Sequence, residues 1–551
     1  MITRRKVLLG VAATGGAAVA GGSIIASFAG DDEDSGSGGS IRLTLAKEAT
    51  GTATDWPFRS IPTAKEIKSD PTAKALHEAL QSWLDDNPGV RLRNISVKVY
   101  DQQPLVTVIS GGNGPALYPT LVLGGWDQAL TKAAFAQGLA ADITGLYNKY
   151  KFDDKVADFA APQLQTWPLK GRQYAMPDYF NAGNGIYYRR DLIKKAGLEE
   201  PEPGYTWDDL RKLARELTTG KMKGAAFQKF SVGWPLNANG WYRLPKVPAP
   251  KNAWHWTYDY TRHADMWVKG IELYRAMVYE DKSVLSDISL MDPDVVAAFS
   301  QERAAVFGAN IGGYFDNPDQ DNTLPNLAKR LDKPMEEVVG FIQHPVGVHG
   351  SFGVSQPYMG LASFSPDLSE DALDKIVSLH DFMTFGDGFV IRKKARWEET
   401  KDLKKVYNDA TPINGMTEIE GIPGSLEDAW GSKIVEAAKR SSAMGLIPSE
   451  AQYIPAEEKP GPAATPVDDA QSRWAFEKGT VRPRADLAKL SDTFNQQAKS
   501  FSSSTSEEDF RAGATKYFDA LAEFWREQAP EYATEVFDPW MKDVIEPALE
   551  A

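Results

Sequence analysis

The chain has no cysteine among its 551 residues. This absence excludes disulfides, thiolate metal sites, cysteine nucleophiles and iron–sulfur clusters. Histidine is scarce as well, and His255 and His263 lack the acidic residue of a zinc-binding helix motif. Asp287, Asp292 and Asp294 lack the spacing and the central glycine of a calcium loop. We therefore expect no metal site and no cofactor.

Basic residues are fewer than acidic ones, with 61 Lys and Arg against 75 Asp and Glu. The formal net charge is −14 and the sequence pI is about 5.1. Nucleic-acid binders and proteins that dock on anionic lipid carry clustered lysine and arginine, so we expect neither partner. Apolar residues make up 42% of the chain, which excludes a largely disordered protein and permits large buried cores.

The first forty residues have the composition of a targeting segment. Arg4 and Arg5 precede an uncharged stretch over residues 7–30, and an acidic Gly/Ser run follows over 31–40. This pattern predicts a signal peptide or an uncleaved membrane anchor over residues 1–30, followed by a flexible linker. The paired arginines resemble the consensus of the twin-arginine pathway, which exports folded proteins. We expect the protein to be periplasmic or at the cell surface, cleaved or anchored through this segment.

Strand and helix patterns alternate through the rest of the chain. Residues 41–45 alternate apolar and polar side chains, as a strand does, and Asp70 followed by Pro71 predicts a helix start. A second strand over 90–99 completes a strand–helix–strand unit with parallel strands. The remaining predictions are strands at 119–123, 303–307 and 338–342, helices at 130–135, from 207 and at 370–385, and a loop at 460–466. This alternation predicts an α/β protein with helices on both faces of its sheets.

Several short motifs occur in an order and spacing that resemble one known family. They are Asp-Asn-Pro-Gly-Val at 86–90, Ile-Ser-Gly at 109–111 with Tyr-Pro-Thr-Leu-Val at 118–122, the stretch 136–144, Gln-Tyr-Ala-Met-Pro at 173–177 with 185–192, Lys-Ala-Gly-Leu at 195–198 with Tyr-Thr-Trp-Asp-Asp-Leu at 205–210, and Glu-Arg-Ala-Ala-Val at 302–306. Together they resemble the extracellular solute-binding proteins of family 1, the sugar-type receptors of ABC importers. The resemblance covers residues 41–455, with Thr120 and Arg189 standing where the family has Asp and Asn.

The resemblance implies a two-lobed, type II periplasmic-binding-protein-like fold, in which each lobe is a sheet flanked by helices and a hinge joins the lobes. We place lobe one at 41–164 and 338–385, and lobe two at 165–337 and 386–551, including the C-terminal helices. The implied protein is a monomer without catalytic activity. It would bind a carbohydrate, specifically an oligosaccharide, in the cleft between the lobes and deliver it to ABC permease subunits in the membrane.

Sugars present apolar C–H faces and hydroxyl rims, so a receptor needs flat aromatic rings beside carboxylates and amides. Residues of these types follow predicted strands or glycine pairs, where α/β sites form. The predicted ligand-binding residues are Asp55, Trp56, Trp126, Asp127, Phe180, Asn181, Trp234, Trp241, Tyr314 and Tyr358. For the aromatic residues the alternative interpretation is packing in the core, except that Trp241 belongs to an aromatic run that could instead clamp an insertion.

Two other classes of protein remain open. The length also suits an oligopeptide-type binding protein, although the motif order favours the sugar type. A secreted glycoside hydrolase would need two carboxylates across a cleft, and no hydrolase motif is visible in the sequence.

Overall fold

Two mixed β-sheets flanked by helices form the framework of the protein. The computed structural model describes residues 40–47, 60–96, 102–124, 128–228, 231, 234–235, 245–248, 256–287, 289–315, 321–347, 358–409, 411–443, 461–479, 483–498 and 506–550. Within these residues, no helix is long and apolar enough to cross a membrane.

The strands divide into two sheets and one hairpin. In chain order they are β1 Ile41–Lys47, β2 Val90–Ser96, β3 Leu117–Pro119, β4 Ala175–Asn181, β5 Asn184–Arg189, β6 Lys223–Ala226, β7 Pro245–Pro248, β8 Trp256–Tyr258, β9 Ala304–Asn310, β10 Val339–Ile342 and β11 Tyr358–Phe364. The first sheet has the order β2-β1-β3-β11-β4, with β1 parallel to β2 and β3, and β11 antiparallel to both of its neighbours. The second has the order β10-β5-β9-β6, with only β6 and β9 parallel among its described pairs. Strands β7 and β8 pair as an antiparallel hairpin.

Helices cover both sheets and form the C-terminal part of the chain. The α-helices are Ala64–Ser69, Pro71–Asp86, Gln102–Ser110, Leu121–Gly124, Gln128–Ala136, Thr144–Tyr150, Arg190–Ala196, Trp207–Leu217, Ala264–Arg275, Asp292–Ser300, Leu324–Arg330, Met335–Val338, Glu370–Thr384, Asp387–Thr400, Leu403–Val406, Leu426–Trp430, Ser432–Ala443, Gly461–Phe476, Pro483–Ala498, Glu507–Gln528, Pro530–Tyr532, Asp538–Trp540 and Glu546–Glu550. Short 3-10 helices are Phe152–Asp154, Ala161–Thr166, Tyr260–His263 and Ile311–Phe315, and π-helical turns are Ala276–Glu280, Ala533–Phe537 and Met541–Ile545.

Two helix starts confirm the sequence prediction. Helix Pro71–Asp86 begins with the Asp70 carboxylate accepting a hydrogen bond from a first-turn backbone N–H at 2.8 Å. Helix Trp207–Leu217 begins with a reciprocal capping box between Thr206 and Asp209. These caps satisfy N–H groups that have no partner within the helix, so local sequence is enough to fix where each helix begins.

Two local predictions are wrong. The predicted strand at 119–123 ends at Pro119, and residues 121–124 form a helical turn instead. The Thr120 N–H still donates to the Leu361 carbonyl of β11 at 2.9 Å, and the chain then turns so that the Leu123 N–H donates back to the Thr120 carbonyl at 3.0 Å. The predicted loop at 460–466 is the start of helix Gly461–Phe476. Pro462 falls in the first turn, where a proline loses no intrahelical hydrogen bond.

The predicted lobe boundaries place two strands with the wrong sheet. Strand β4 was assigned to lobe two, but it pairs with β11 in the first sheet; β10 was assigned to lobe one, but it pairs with β5 in the second. The chain therefore passes from the first sheet to the second between β4 and β5, at residues 182–183, and returns between β10 and β11. Strand β10 is wholly buried and β4 is buried at most of its positions, so neither shows an alternation that specifies which sheet it joins.

The C-terminal helices share a core with the second sheet. Val306 and Ile342 of that sheet lie in one buried apolar cluster with Trp267, Tyr517 and Trp525. Each large side chain so buried contributes roughly 1.5–3 kcal/mol to folding. The C-terminal helices described at 461–479, 483–498 and 506–550 are therefore part of the same folded body as the sheet.

Candidate functional site

Asparagine and tyrosine residues lie at the strand ends where the chain passes between the two sheets. Asn181 ends β4 and Asn184 begins β5 only three positions later. Asn181 pairs with Tyr358, the first residue of β11, and Asn184 pairs with Asn310, the last residue of β9. The structure thus places two predicted site residues, Asn181 and Tyr358, at the same crossing between the sheets as two that the sequence analysis missed. We call these four residues the junction row.

Hydrogen bonds and ring packing fix the side chains at one end of the junction row. The Asn181 Oδ1 accepts from the Gly183 N–H at 2.8 Å, and its Nδ2 donates to the Tyr358 hydroxyl at 3.4 Å. The Tyr358 ring meets the Tyr179 ring edge-on, with 5.9 Å between ring centroids. Tyr179 in turn lies over Gly360, where a Cβ would fall 1.9 Å from the ring. The orientation of Tyr358 is therefore set before any ligand arrives.

An aromatic cluster follows the other end of the junction row. The 3-10 helix Ile311–Phe315 begins directly after Asn310. The Phe315 ring packs edge-on against Trp430 at 4.7 Å, and the Tyr314 ring lies 5.7 Å from the same indole. We call Tyr314, Phe315 and Trp430 the aromatic cluster.

Exposure within the aromatic cluster differs from the sequence prediction. Tyr314, the predicted member, is 1% exposed, and burial raises the pKa of its hydroxyl. Phe315 and Trp430 are half-buried, so these two members of the cluster retain some solvent exposure. The Trp430 indole N–H donates to the Tyr407 carbonyl, and the Lys404 ammonium lies 5.4 Å from the indole centre. Phe315 could have been found as the neighbour of Tyr314, whereas Trp430 follows no strand or glycine pair and carries no such signal.

Two other predicted site residues lie in the core. Trp234 is 1% exposed, with its ring over Gly308 and 4.4 Å from the His344 ring. Phe180 is also 1% exposed and packs against Phe159 at 5.4 Å. In this structure neither ring has a free face on which a sugar could stack.

His344 is buried between two indole rings. Trp234 lies against it on one side, and Trp207 is stacked with it at 6.2 Å. Neither ring nitrogen has a hydrogen-bond partner in the described part of the chain. Burial lowers the pKa of His344 to about 3, so the ring is neutral over the physiological range. This histidine is a packing element and does not supply a charge to the junction row.

Five predicted site residues, Asp55, Trp56, Trp126, Asp127 and Trp241, lie outside the described residues. Among those that are described, no group of three His, Asp or Glu side chains is arranged to hold a metal ion.

A protein-family comparison identifies the framework around the junction row. The model for bacterial extracellular solute-binding proteins matches residues 69–359, which is more than half of the chain. The chain belongs to this family. Members of the bacterial extracellular solute-binding protein family bind substrates without catalysing a reaction on them.

Individual relatives of this solute-binding protein are distant. A protein of Brucella abortus (strain 2308) named as a binding protein is 28% identical over 148 residues, or 26% of this chain. The chain spans about a third (33%) of the length of the curated relatives it matches.

Solved structures share the fold of this solute-binding protein. An ABC substrate-binding protein of Listeria monocytogenes, solved with cycloalternan, superposes with a TM-score of 0.53 at 16% identity, covering 83% of this chain and 99% of its own. A solute-binding protein of Agrobacterium vitis, solved with D-mannitol, gives 0.53 at 15% identity, with 84% and 100% covered.

The two positions at which this solute-binding protein departs from the family motifs have structural partners. The Thr120 and Ser363 hydroxyls share a hydrogen bond of 2.7 Å between β3 and β11. Arg189 is 1% exposed and makes two hydrogen bonds to the Asp191 carboxylate, at 2.7 and 2.8 Å, with Glu302 at 3.3 Å. Both side chains make contacts that hold the fold together. These contacts explain why Thr120 and Arg189 differ from the Asp and Asn of the family motifs.

Proposed function

We propose that this protein is the substrate-binding component of an ABC importer and that its ligand is a carbohydrate, specifically an oligosaccharide. The observation that carries the proposal is the junction row of amides and phenol beside the half-exposed rings of Phe315 and Trp430. Amide and hydroxyl groups suit the hydroxyl rim of a sugar, and the rings suit its C–H face. The bound cycloalternan and D-mannitol of the two structural neighbours support the same ligand class.

The two sheets support a two-lobed arrangement with ligand between the lobes. Each sheet with its flanking helices forms one lobe, and residues 182–183 connect them. A short connection of this kind allows hinge closure around a ligand. The predicted residues Asp55, Trp56, Trp126, Asp127 and Trp241 remain candidates for further contacts in the same cleft.

Export and delivery complete the proposal. The family is extracellular by description, and the Arg4-Arg5 segment supports the twin-arginine route to the periplasm or the cell surface. The partner is a pair of ABC permease subunits in the membrane, which the protein meets as a monomer.

Calorimetry with purified protein tests the ligand class. Cyclic and linear glucans, D-mannitol and short peptides are titrated in parallel, and the tightest glycan is expected to bind with a Kd on the order of micromolar. Peptide binding without sugar binding would favour the oligopeptide-type alternative. Chromatography of the glycan after a day with the protein tests the hydrolase alternative, because steady product formation proportional to protein means catalysis.

Replacing Trp430 tests the site itself. Trp430→Ala removes a stacking surface and is expected to weaken glycan binding about ten- to a hundredfold. Trp397→Ala is the matched control, since Trp397 is also half-buried and has the Lys401 ammonium 5.4 Å from its ring, but lies on helix Asp387–Thr400. Equal affinity loss in both variants would contradict the assignment of Trp430 to the site.

A further inference from the structure

A third connection joins the two sheets after β11. Helix Asp387–Thr400 packs on helix Pro71–Asp86 beside the first sheet, and helix Ser432–Ala443 packs on β10 of the second. Between these helices the chain runs through residues 401–409 and 411–431. We call this segment the third connection.

Backbone and side-chain hydrogen bonds attach the third connection to the side of the first sheet. The Ala157 N–H donates to the Ile413 carbonyl at 2.8 Å. The Asn414 side-chain amide donates to the Thr384 carbonyl at 2.9 Å, at the end of helix Glu370–Thr384. Residues 411–416 are therefore held to lobe one.

A small cavity lies at this attachment. Its volume is about 20 Å³, enough for one water molecule. Thr384, Phe389, Lys393, Tyr407, Asn408, Asp409, Pro412, Ile413 and Met416 line it. Two of these side chains, Lys393 and Asp409, are ionisable groups of opposite sign in a largely apolar wall.

The Asp409 carboxylate is only half satisfied. Its Oδ1 accepts from the Thr411 N–H at 3.0 Å. Its Oδ2 is shielded from solvent and has no hydrogen-bond partner among the described residues, although the residue as a whole is half-buried. Lys393 is 6% exposed and donates to the Val406 carbonyl at 2.6 Å and the Asn408 amide oxygen at 2.9 Å. A buried anionic oxygen without a donor is costly, whereas a protonated carboxyl is not.

The charged surroundings of Asp409 do not remove this cost. Burial raises the pKa of Asp409 to about 6, against the opposing effects of Thr411 and the Lys393 ammonium. Tyr407 is the other ionisable side chain on the cavity wall. On helix Glu370–Thr384, the Asp381 carboxylate is held by Lys155 at 2.6 Å.

We propose that Asp409 is a proton-binding site that controls how firmly the third connection is attached to lobe one. When Asp409 is protonated, its O–H can donate into the cavity and the attachment is firm. When it is ionised, no protein group among the described residues donates to Oδ2, and residues 407–409 and 411–416 open more often. The folded-state pKa lies above the unperturbed value of 3.8, so the attachment strengthens as the pH falls through about 6.

Hydrogen exchange at the Ala157 amide measures the attachment, because its acceptor Ile413 belongs to the third connection. The pKa of Asp409 is about 6 when the third connection is attached and 3.8 when it is open. Protection of the Ala157 amide, corrected for intrinsic exchange, should therefore be about tenfold higher at pH 5.0 than at pH 7.5. Asp409→Asn should abolish this ratio, and Glu420→Gln, which removes an exposed carboxylate from the same segment, should keep it. A ratio near one in the wild type, or an unchanged ratio in Asp409→Asn, would overturn the proposal.

A second measurement needs no variant. The carboxyl carbon of Asp409 is followed by NMR from pH 3 to 8 in the wild-type protein. A titration midpoint near 6 supports the proposal, and a midpoint near 4 overturns it, whatever the ligand of the protein proves to be.

Discussion

Gly308 is the position at which the packing of the second sheet can be tested most sharply. It lies in β9 between β5 and β6, and a Cβ there would fall 2.2 Å from one atom of the Trp234 ring and 2.6 Å from another. The backbone has little freedom to move, since Gly308 pairs with Ile186 and its carbonyl accepts from the Gln228 side chain at 2.9 Å. In Gly308→Ala the indole must therefore move, and His344 at 4.4 Å stands in its way.

The expected destabilisation follows from opposing effects. Overpacking a well-packed core costs about 1–3 kcal/mol. Alanine recovers about 0.5–1 kcal/mol in a strand relative to glycine, because Gly308 is not among the residues with positive φ. We expect Gly308→Ala to lower the free energy of unfolding by about 1–2 kcal/mol, measured by urea denaturation with an unchanged m-value.

A double-mutant cycle separates this mechanism from a general loss of stability. Trp234→Leu alone leaves a cavity and should cost roughly 2–4 kcal/mol. In Gly308→Ala/Trp234→Leu the new methyl group has room, so the two losses should fall short of additivity by about 1 kcal/mol or more. Additive losses would refute the packing of the indole over Gly308. Trp234→Leu should also leave glycan affinity unchanged, because the ring has no accessible face.

Three further predictions concern export and two buried side chains. Replacing Arg4 and Arg5 by lysine should abolish export in a cell-fractionation assay, and undiminished export would remove the twin-arginine interpretation. His344→Phe should remove a pH-dependent contribution to the free energy of unfolding. The pKa of His344 is about 3 in the folded protein and 6.5 when unperturbed, so the wild type loses stability as the pH falls below 6.5, by about 2 kcal/mol at pH 5. The variant should not show this loss. Arg189→Met should cost about 3–5 kcal/mol in urea unfolding by stranding the Asp191 carboxylate, and a loss below 1 kcal/mol would contradict a structural role for this arginine.

Local signals in the sequence predicted local structure well. The Asp70 and Thr206 caps begin their helices where the sequence places them, because the capping side chain and the backbone groups it satisfies are neighbours in the chain. The parallel pairing of β1 with β2 was also predictable, since a helix between two strands leaves little choice of direction. The family and the α/β fold class rest on such signals, and both are confirmed.

Sheet membership was not predictable in the same way. Strand β4 joins β11 across more than 170 positions of sequence, and the pairing contains an irregularity at Gly360 and Leu361. His380 compensates for it, since its ring nitrogen lies 2.9 Å from the Pro177 carbonyl at that point of β4. Such a fit depends on three distant segments at once, and no periodicity within 175–181 reports it.

The roles of the tryptophans show where sequence reasoning about the site reaches its limit. Fifteen tryptophans made stacking on a sugar a reasonable expectation, yet Trp234, Trp267, Trp525 and Trp540 are all at most 2% exposed. A partial signal existed for Trp234, because a glycine after a predicted buried strand often marks the close approach of a bulky group, and Gly308 is that glycine. What the sequence does not contain is the identity of the approaching ring, which depends on the path of a connection from another strand. An indole can serve as a binding surface only when packing leaves part of its ring exposed. Trp430 is half-buried where these four are not, a difference that follows from tertiary packing and not from residue type.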